Sequence, residues 1–563
     1  MKMPAKFSST LADSCPHSLL GPQFRLTWQK LQFATKSGAC DTITPKSTVA
    51  LLGRCGRGPG PARIAPYRCP CERLDETPSY VWEPLMSQLS MPKPDPAIVS
   101  RRAEIVRQLK KLVPDVVLIA DQEGRRTFET DALTAYRCLP LLVALPGTTE
   151  EVSKILRFCH DNHIKVVPRG AGTSLSGGAL PLEDSIVLCL SRMNKVLSID
   201  LPNRVARVEA GITNSGITQA VAGHGFFYAP DPSSQIACTV GGNVATNSGG
   251  AHCLKYGVTT NHILGVRLVL MDGEIIDIGG DYLDAPGYDL LALIIGSEGQ
   301  LGVVTEVTVR LLKAAEGARP MLLGFDSSDA AGGCVAGIIA AGIIPVALEF
   351  MDRPAIHVCE HFVAAGYPLD VEALLIVEVQ GSEDEIDTLL EKISEIAMDY
   401  NPAVMHRSQS PEESAKIWKG RKAAFGAIGQ LSDYYCMDGV IPLSKLTKAL
   451  DEIGWICRKY RFDVANIFHA GDGNLHPLIL YNSNDPLQLE RVEMCGAEIL
   501  KLCVELGGCL TGEHGVGIEK RELMRVQFTE ADIGQQMHIK AAFDPDWLLN
   551  PGKVFPLEGN RVQ

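Results

Sequence analysis

Residues 169–178 read Arg-Gly-Ala-Gly-Thr-Ser-Leu-Ser-Gly-Gly, and this stretch decides the fold. Apolar runs at residues 164–168 and 186–190 flank it, and runs of this length predict buried strands. Four glycines and three hydroxyl residues between two strands allow backbone N–H groups to converge on an anion. The pattern favours a cradle for the phosphates of a nucleotide over its alternative, a glycine-rich surface turn.

The elements around this loop begin a βαβ arrangement. Residues 141–145 predict a strand, and a helix follows from Thr149 to His160 with Thr148 or Thr149 as its N-cap. A second glycine-rich loop, residues 239–250, is predicted to form another anion cradle about seventy residues later. The spacing within the first loop and the distance to the second differ from a Rossmann fingerprint. The pair therefore favours FAD over NAD.

Size and charge limit the classes of protein to consider. At 563 residues the chain exceeds a single core, and its net charge of −13 argues against a nucleic-acid binder. No apolar run is long enough to span a membrane, so we expect membrane contact only through partners. The seventeen cysteines are scattered without a C-x-x-C pair, which excludes a ferredoxin pattern and favours a reducing, cytoplasmic setting.

The first 90 residues differ from the rest of the chain. They hold 11 Lys and Arg against 6 Asp and Glu, and they show no sustained periodicity. Three interpretations compete: a disordered extension, a transit peptide, or sequence translated from upstream of the real start codon. The third is favoured because Met91 is followed directly by a helical pattern at residues 95–112.

The remaining chain divides into four predicted segments. We expect a helical lead-in at residues 91–136, a nucleotide-binding domain at 137–315, a second domain at 316–545, and a tail at 546–563 that returns to the first domain. In the second domain apolar strands alternate with amphipathic helices, which predicts an α+β domain with a mostly antiparallel sheet. The predicted fold class of the whole chain is α+β.

The second domain contains a cluster of possible metal ligands. His469 and His476 flank an Asp-Gly-Asn turn at residues 472–474, and a fold-back there would bring the two imidazoles together. Glu513 and His514 follow in a strand and glycine turn at residues 511–517. Three histidines and a carboxylate suffice for a divalent metal site with an open position. The alternative is that these histidines cap turns and bind backbone groups.

Taken together, these motifs resemble the FAD-linked oxidases of the vanillyl-alcohol oxidase superfamily. The flavin-domain motifs occur in the family's order: residues 169–178, Pro-Asp-Pro-Ser-Ser at 230–234, the 239–250 loop and Gly-Ser-Glu-Gly at 296–299. His-Ala-Gly-Asp-Gly-Asn-Leu-His at 469–476 and Gly-Glu-His-Gly at 512–515 resemble the branch that oxidises D-2-hydroxy acids. Within that branch, residues 229–238 and 434–439 resemble above all the flavin subunits of bacterial glycolate-oxidising enzymes. The resemblance covers residues 91–556.

The resemblance implies a PCMH-type FAD-binding domain of two subdomains and a ferredoxin-like antiparallel α+β cap domain. It implies non-covalent FAD, because residues 172–174 hold no His or Cys. His469, His476 and Glu513 would bind a divalent metal (Zn, Mn or Fe). His514 would be the base, and Arg421 would pair with the substrate carboxylate, although alone it could be a solvated helix charge. The implied cofactor-binding residues are Arg169, Gly170, Gly172, Thr173, Ser174, Gly177, Gly178, Pro230, Asp231, Ser233, Ser234, Thr239, Gly241, Gly242, Asn243, Asn247, Gly250, Glu298, Gly299, Val304 and Asn550.

The implied reaction is oxidation of a small 2-hydroxy acid, glycolate to glyoxylate. Branch members that bind a dicarboxylate carry a Lys near the position of Cys436, and its absence favours a small monocarboxylate. The chain has no iron–sulfur pattern, so an iron–sulfur subunit or a quinone is the expected electron acceptor. A second flavin-domain subunit is also an expected partner. Two alternatives are a stand-alone D-lactate dehydrogenase and a non-catalytic flavin-binding subunit. The non-catalytic subunit would be expected to lack the metal motif.

Overall fold

Two larger sheets and one two-stranded sheet form the first half of the chain in a computed structural model that describes residues 89–282 and 287–557. The predicted N-terminal extension lies, from residue 1 to 88, outside the described residues. The helices of this half are α1 (Pro96–Ser100), α2 (Arg102–Leu112), α3 (Gln122–Arg126), α4 (Thr149–Asp161), α5 (Asn214–Ala222), α6 (Val240–Thr246), α7 (Cys253–Tyr256) and α8 (Leu290–Ile294), with a 3-10 turn at Thr259–His262. The strands are β1 (Val117–Ile119), β2 (Leu142–Leu145), β3 (Lys165–Arg169), β4 (Ser185–Cys189), β5 (Val196–Asp200), β6 (Val205–Glu209), β7 (Phe226–Phe227), β8 (Ile263–Val269), β9 (Ile275–Gly279), β10 (Val303–Arg310) and β11 (Leu312–Lys313).

The first sheet has the predicted βαβ arrangement. Its strand order is β1-β2-β4-β3, with β2, β4 and β3 parallel and β1 antiparallel to β2. Helix α4 begins where expected, because the Thr148 hydroxyl accepts a hydrogen bond from the Glu151 amide at 3.2 Å. The helix buries Val152, Ile155 and Leu156, which stabilises the crossover between β2 and β3.

The second sheet is antiparallel, with the order β5-β6-β10-β8-β9. Strands β8 and β9 pair as an antiparallel hairpin. The sequence did not predict β5, whose side chains are mostly exposed. The prediction of a loop at residues 239–250 was wrong in part. Thr239 caps α6 by accepting from the Gly242 amide at 3.3 Å, so the glycine-rich stretch begins as a helix.

The second half is built on one seven-stranded antiparallel sheet, in the order β15-β12-β14-β13-β17-β18-β16. This sheet confirms the predicted α+β fold class and the mostly antiparallel strand arrangement. Its strands are β12 (Gly317–Phe325), β13 (Ala347–Asp352), β14 (Ala373–Gly381), β15 (Val404–Arg407), β16 (Asp433–Cys436), β17 (Val464–His469) and β18 (Pro477–Tyr481). Its helices are α9 (Ser328–Ala340), α10 (Arg353–Val363), α11 (Glu383–Met398), α12 (Pro411–Lys422), α13 (Ala424–Gly429), α14 (Leu446–Lys459), α15 (Pro486–Glu505), α16 (Met524–Gln527) and α17 (Glu530–Phe543), with 3-10 turns at Leu443–Lys445 and Arg521–Leu523.

The segment after α17 runs back along the first sheet. The Val166 amide donates to the Leu548 carbonyl at 2.8 Å, and the Asn550 amide donates to the Val166 carbonyl at 2.7 Å. Leu549 is fully buried beside β3. The chain end therefore contributes Asn550 to the wall beneath the first glycine-rich loop. Across the described ranges, no helix combines the length and the apolar character needed to cross a membrane.

Candidate active site

A cavity of about 470 Å³ lies where the two halves meet. The glycine-rich segments line it, and so do His476, Glu513 and His514. Sixteen of the predicted cofactor-binding residues line the cavity: Arg169, Gly170, Gly172, Thr173, Ser174, Gly178, Ser233, Ser234, Thr239, Gly241, Gly242, Asn243, Glu298, Gly299, Val304 and Asn550. The fold thus brings both sets of motifs to one space.

Five other residues predicted to bind the cofactor lie outside the cavity lining: Gly177, Pro230, Asp231, Asn247 and Gly250. Asp231 instead accepts from the His252 amide at 3.1 Å, and Asn247 ends α6 in a left-handed conformation, with φ of 52°. A Cβ on Gly250 would lie 2.5 Å from the Asp231 carbonyl. A direct contact between these five residues and a cofactor stays a prediction. Their observed contacts support the residues that line the cavity.

The two glycine-rich segments pack directly against each other. A Cβ on Gly170 would lie 2.2 Å from the Thr239 hydroxyl, so the absence of a side chain at Gly170 permits the approach of α6. Gly172 has φ of +76°, and a Cβ there would lie 2.0 Å from the Arg169 guanidinium. Glycine is therefore needed at both positions for the cradle to keep this shape.

Buried polar atoms beside this cradle lack partners. The side-chain nitrogen of Asn243 and the side-chain oxygen of Asn550 are buried without a hydrogen bond, and both residues line the cavity. Asn550 is held in place because its amide nitrogen donates to the Glu298 carbonyl at 2.7 Å. Unsatisfied polar atoms in a cavity bordered by glycines fit a ligand that carries phosphates and hydrogen-bonding ring edges. The residues present therefore fit FAD.

Across the cavity, the predicted fold-back between β17 and β18 is confirmed. The rings of His469 and His476 have centroids 5.3 Å apart, and Glu513 reaches both of them. Its Oε1 atom lies 3.0 Å from His476 Nε2 and 3.7 Å from His469 Nε2. One ligand atom from each of the three residues lies within 4.8 Å of the others. This donor set fits a divalent metal with positions left for a further ligand.

Each histidine is oriented by a bond to its other ring nitrogen. His469 Nδ1 lies 2.8 Å from Glu349 Oε1, and His476 Nδ1 lies 3.2 Å from the Met437 carbonyl oxygen. With Nδ1 as the donor in each case, Nε2 of both rings faces Glu513, where it donates to the carboxylate or, once deprotonated, can bind a metal. Partners of this type fix the tautomer and ring orientation of metal-binding histidines.

The electrostatics of this cluster favour a cation. Burial opposes the charged form of His476, yet hydrogen bonds to the Cys436 thiol and the Glu513 carboxylate raise its pKa to about 10. Burial likewise opposes ionisation of Glu513, yet hydrogen bonds from His469 and His476 lower its pKa well below the usual value. Glu513 therefore stays negatively charged, which is the form of a carboxylate that binds a metal ion.

His514 differs from its two neighbours. Its ring stacks on that of His476 with a centroid distance of 5.0 Å, and its Nδ1 is buried without a hydrogen bond. Burial lowers the pKa of His514 to about 4, although Asp438 opposes that shift. The imidazole is consequently neutral near pH 7, which is the form that can accept a proton.

Asp438 organises the turn that holds Glu513 and His514, and the sequence did not predict this role. Its carboxylate accepts hydrogen bonds from the amides of Gly512 at 3.2 Å, Glu513 at 3.2 Å and His514 at 2.9 Å, and from the Thr511 hydroxyl. These bonds form a loop without a strand, so the predicted strand at residue 511 was wrong. The Asp438 carboxylate accepts the backbone hydrogen bonds that a neighbouring strand would accept in a sheet.

Glu349 is the second residue that the sequence prediction missed. It is fully buried in β13 and accepts from Arg421 Nε at 2.9 Å as well as from His469. The one available signal was an isolated acid inside an apolar strand. Arg421, predicted as the carboxylate partner of the substrate, is buried against Glu349 and lies outside the cavity lining, whereas its neighbour Lys422 lines the cavity.

The chain is similar to known proteins in the regions that contain most of these motifs. A family model described as FAD binding domain matches residues 140–279, and one described as FAD linked oxidases, C-terminal domain, matches residues 315–554. The glycolate oxidase subunit GlcD of Escherichia coli K12 is 49% identical over 456 residues, 81% of this chain and 91% of that protein. The chain belongs to the FAD-linked oxidases. The family resemblance inferred from the motifs is thereby confirmed.

Other members of the family and several solved structures extend the comparison. GlcD of Bacillus subtilis is 39% identical to this chain, and the match covers 78% of this chain and 94% of that protein. A D-lactate dehydrogenase of Anaerostipes hadrus is 31% identical, and the match covers 80% of this chain and 97% of that protein. The solved structure of 4-ethylphenol oxidase from Gulosibacter chungangensis has a TM-score of 0.70 at 16% identity, covering 83% of this chain and 99% of that one. That likeness confirms the fold class.

Proposed function

We propose that the chain oxidises a small 2-hydroxy acid, glycolate to glyoxylate, with FAD as the hydride acceptor. One observation carries the proposal: the FAD-fitting cradle and the His476, Glu513 and His514 cluster line the same cavity. A substrate placed between them would have its C2 carbon toward the flavin side and its hydroxyl toward the cluster. The 49% identity to a named glycolate oxidase subunit supports the choice of glycolate.

In this reaction the substrate hydroxyl loses a proton and C2 loses a hydride. The neutral His514 imidazole accepts the hydroxyl proton at a ring nitrogen, while the C–O bond becomes a carbonyl. FAD, when bound, accepts the hydride and therefore both electrons. His469, His476 and Glu513 would hold a divalent metal, which when bound supplies positive charge that lowers the pKa of the substrate hydroxyl. Asp438 keeps His514 in place by binding its amide.

The experiment is purification followed by flavin and metal analysis and a substrate panel. We expect a yellow protein with non-covalently bound FAD and about one divalent ion per chain. With an artificial electron acceptor, we expect turnover of glycolate that a chelator abolishes and a divalent ion restores. A protein without a flavin spectrum, even after incubation with FAD, would contradict the proposal.

D-Lactate is the second candidate substrate, favoured by the 31% identity to a D-lactate dehydrogenase. Steady-state rates on glycolate and on both lactate enantiomers decide between the two. The electrons must leave the reduced protein, and we propose a second flavin-domain subunit together with an iron–sulfur subunit, or a quinone, as the route. The names of the two GlcD relatives, each called a subunit of glycolate oxidase, support the presence of further subunits, and co-purification from a native source tests which ones they are.

A further inference from the structure

We propose that Cys436, His476 and His514 form a second metal site, one that binds a thiophilic divalent cation such as Zn²⁺ or Cd²⁺. One ligand atom from each of these three residues lies within 4.8 Å of the others. The site shares His476 with the cluster of His469, His476 and Glu513, but it has a sulfur donor instead of a carboxylate. A cation bound there would inhibit the enzyme through His514, and only this consequence rests on the proposed function.

The two ring nitrogens of His476 face different groups. Its Nε2 lies 3.0 Å from Glu513 Oε1, whereas its Nδ1 lies 3.2 Å from the Met437 carbonyl oxygen. The Cys436 thiol donates to the same carbonyl, with Sγ 3.4 Å from the oxygen. The thiol and Nδ1 therefore meet at one place, on the side of the ring away from Glu513. A cation there would replace the two protons that point at the carbonyl, and both would be released to solvent.

His514 supplies the third donor. Its ring lies parallel to that of His476, with an interplanar angle of 7°. The Nε2 of His514 lies 3.9 Å from Glu513 Oε1 and its Nδ1 lies 4.0 Å from Asp438 Oδ2, so both rings direct Nδ1 toward residues 436–438. In the described part of the chain, Nδ1 of His514 is buried without a hydrogen bond. Because buried nitrogens normally have a partner, this nitrogen is available to a ligand.

The chemistry of these donors favours a thiophilic cation over the hard cations. A thiolate and imidazole nitrogens bind Zn²⁺ and related ions, whereas Mg²⁺ and Ca²⁺ prefer oxygen ligands. Zinc lies about 2.0–2.3 Å from nitrogen and sulfur ligands, so a small rotation of either ring would bring the donor atoms to one ion. The buried Asp438 carboxylate adds a negative charge beside His514. The cation would enter from the cavity, because His476 and His514 both line it.

Occupation of this site would remove the base from the reaction. A neutral imidazole has one nitrogen with a lone pair and one nitrogen that carries the proton. If Nδ1 of His514 binds the cation, the proton lies on Nε2, and neither nitrogen can then accept the proton of the substrate hydroxyl. Thiophilic cations should therefore inhibit turnover while FAD stays bound.

The test uses FAD-loaded protein and compares the wild type with Cys436→Ser, Cys436→Ala and the control Cys138→Ser. Cys138 is a partly exposed thiol that belongs to neither cluster. Cadmium NMR, after addition of Cd²⁺, resolves a sulfur-containing site as a separate resonance. Inhibition of glycolate oxidation by Cd²⁺ is measured relative to the uninhibited rate of the same variant, and the flavin content of each variant checks that it folds.

We expect the wild type and Cys138→Ser to show a resonance from a site with one sulfur ligand. Both Cys436 variants should lack this resonance and keep the flavin content of the wild type. Residues that only orient a metal ligand contribute about 10- to 100-fold to metal affinity. Loss of a ligand itself should therefore raise the half-inhibiting concentration of Cd²⁺ by about 10-fold or more.

The same resonance and the same half-inhibiting concentration in the Cys436 variants would overturn the inference and leave the proposed function intact. An equal loss of Cd²⁺ sensitivity in Cys138→Ser would also overturn it, since it would indicate unspecific binding to thiols. If the wild type oxidised no 2-hydroxy acid, the proposed function would fail, and the cadmium resonance would still decide whether the site exists.

Discussion

The two walls of the cavity are built on different principles. The wall formed by residues 169–178 and 239–250 consists mainly of backbone and small side chains, and its shape depends on missing Cβ atoms at Gly170 and Gly172. The second wall, which contains His476, Glu513 and His514, consists of ionisable side chains that are oriented through Glu349 and Asp438. Changes in the first wall should therefore act on cofactor affinity, and changes in the second on chemistry with the cofactor still bound.

The largest effect is expected from His514→Ala in the second wall. Removing a general base lowers turnover by about 10²- to 10⁴-fold, and FAD content should remain that of the wild type. Steady-state rates and the flavin absorbance of the purified variant measure both quantities. His538→Ala, at an exposed histidine on α17, is the matched control. Turnover near the wild-type value in His514→Ala would remove His514 from the mechanism.

Glu349→Gln separates orientation from direct binding in the same wall. The amide keeps the shape of Glu349 but loses the charge that faces His469 Nδ1 and Arg421. Residues that orient metal-binding histidines contribute about 10- to 100-fold to metal affinity, so the Kd for the restored divalent ion should rise by that factor. A metal-buffer titration measures it, with Glu391→Gln, at an exposed residue of α11, as the control. Equal metal affinities would mean that Glu349 does not orient the site.

The first wall predicts the opposite outcome for Gly170→Ala. The added Cβ would collide with Thr239 and push the two glycine-rich segments apart, at a cost of about 1–3 kcal/mol. We expect the Kd for FAD to rise about 10-fold or more, while metal binding by His469, His476 and Glu513 stays unchanged. Gly223→Ala is the control, because a Cβ there meets no atom within 4 Å. An unaltered FAD affinity would show that the packing at Thr239 can relax.

The contrast between the two walls explains which parts of the fold and of the site could be predicted from the sequence. The first wall is encoded in contiguous motifs, so the βαβ arrangement could be predicted from residue types and spacing, and the family resemblance of those motifs implied 16 of the residues that line the cavity. The second wall depends on tertiary neighbours: Glu349 and Asp438 lie in β13 and after β16, at least 70 residues from the groups that they orient. Local patterns contain no information about such pairs. Strand β5 was missed for a related reason, since its exposed side chains give no apolar run.

The smallest effect concerns His252, which joins the two walls at their edge. Its ring nitrogens lie 3.1 Å from an Asp231 oxygen in the first half and 3.7 Å from a Glu378 oxygen in the second, with Trp418 and Lys422 nearby. Burial disfavours the imidazolium, yet the two carboxylates raise its pKa above 6.5. The interaction of His252 with the two carboxylates therefore contributes fully to the stability of the fold below pH 6.5. That contribution is lost as pH rises through the pKa of His252 in the folded state. We expect His252→Gln to remove about 1 kcal/mol at pH 6 and less at higher pH, by denaturant unfolding. His224→Gln, at an exposed histidine, should show no such pH dependence. A constant difference across pH would mean that packing, and not the charge pair, joins the walls at His252.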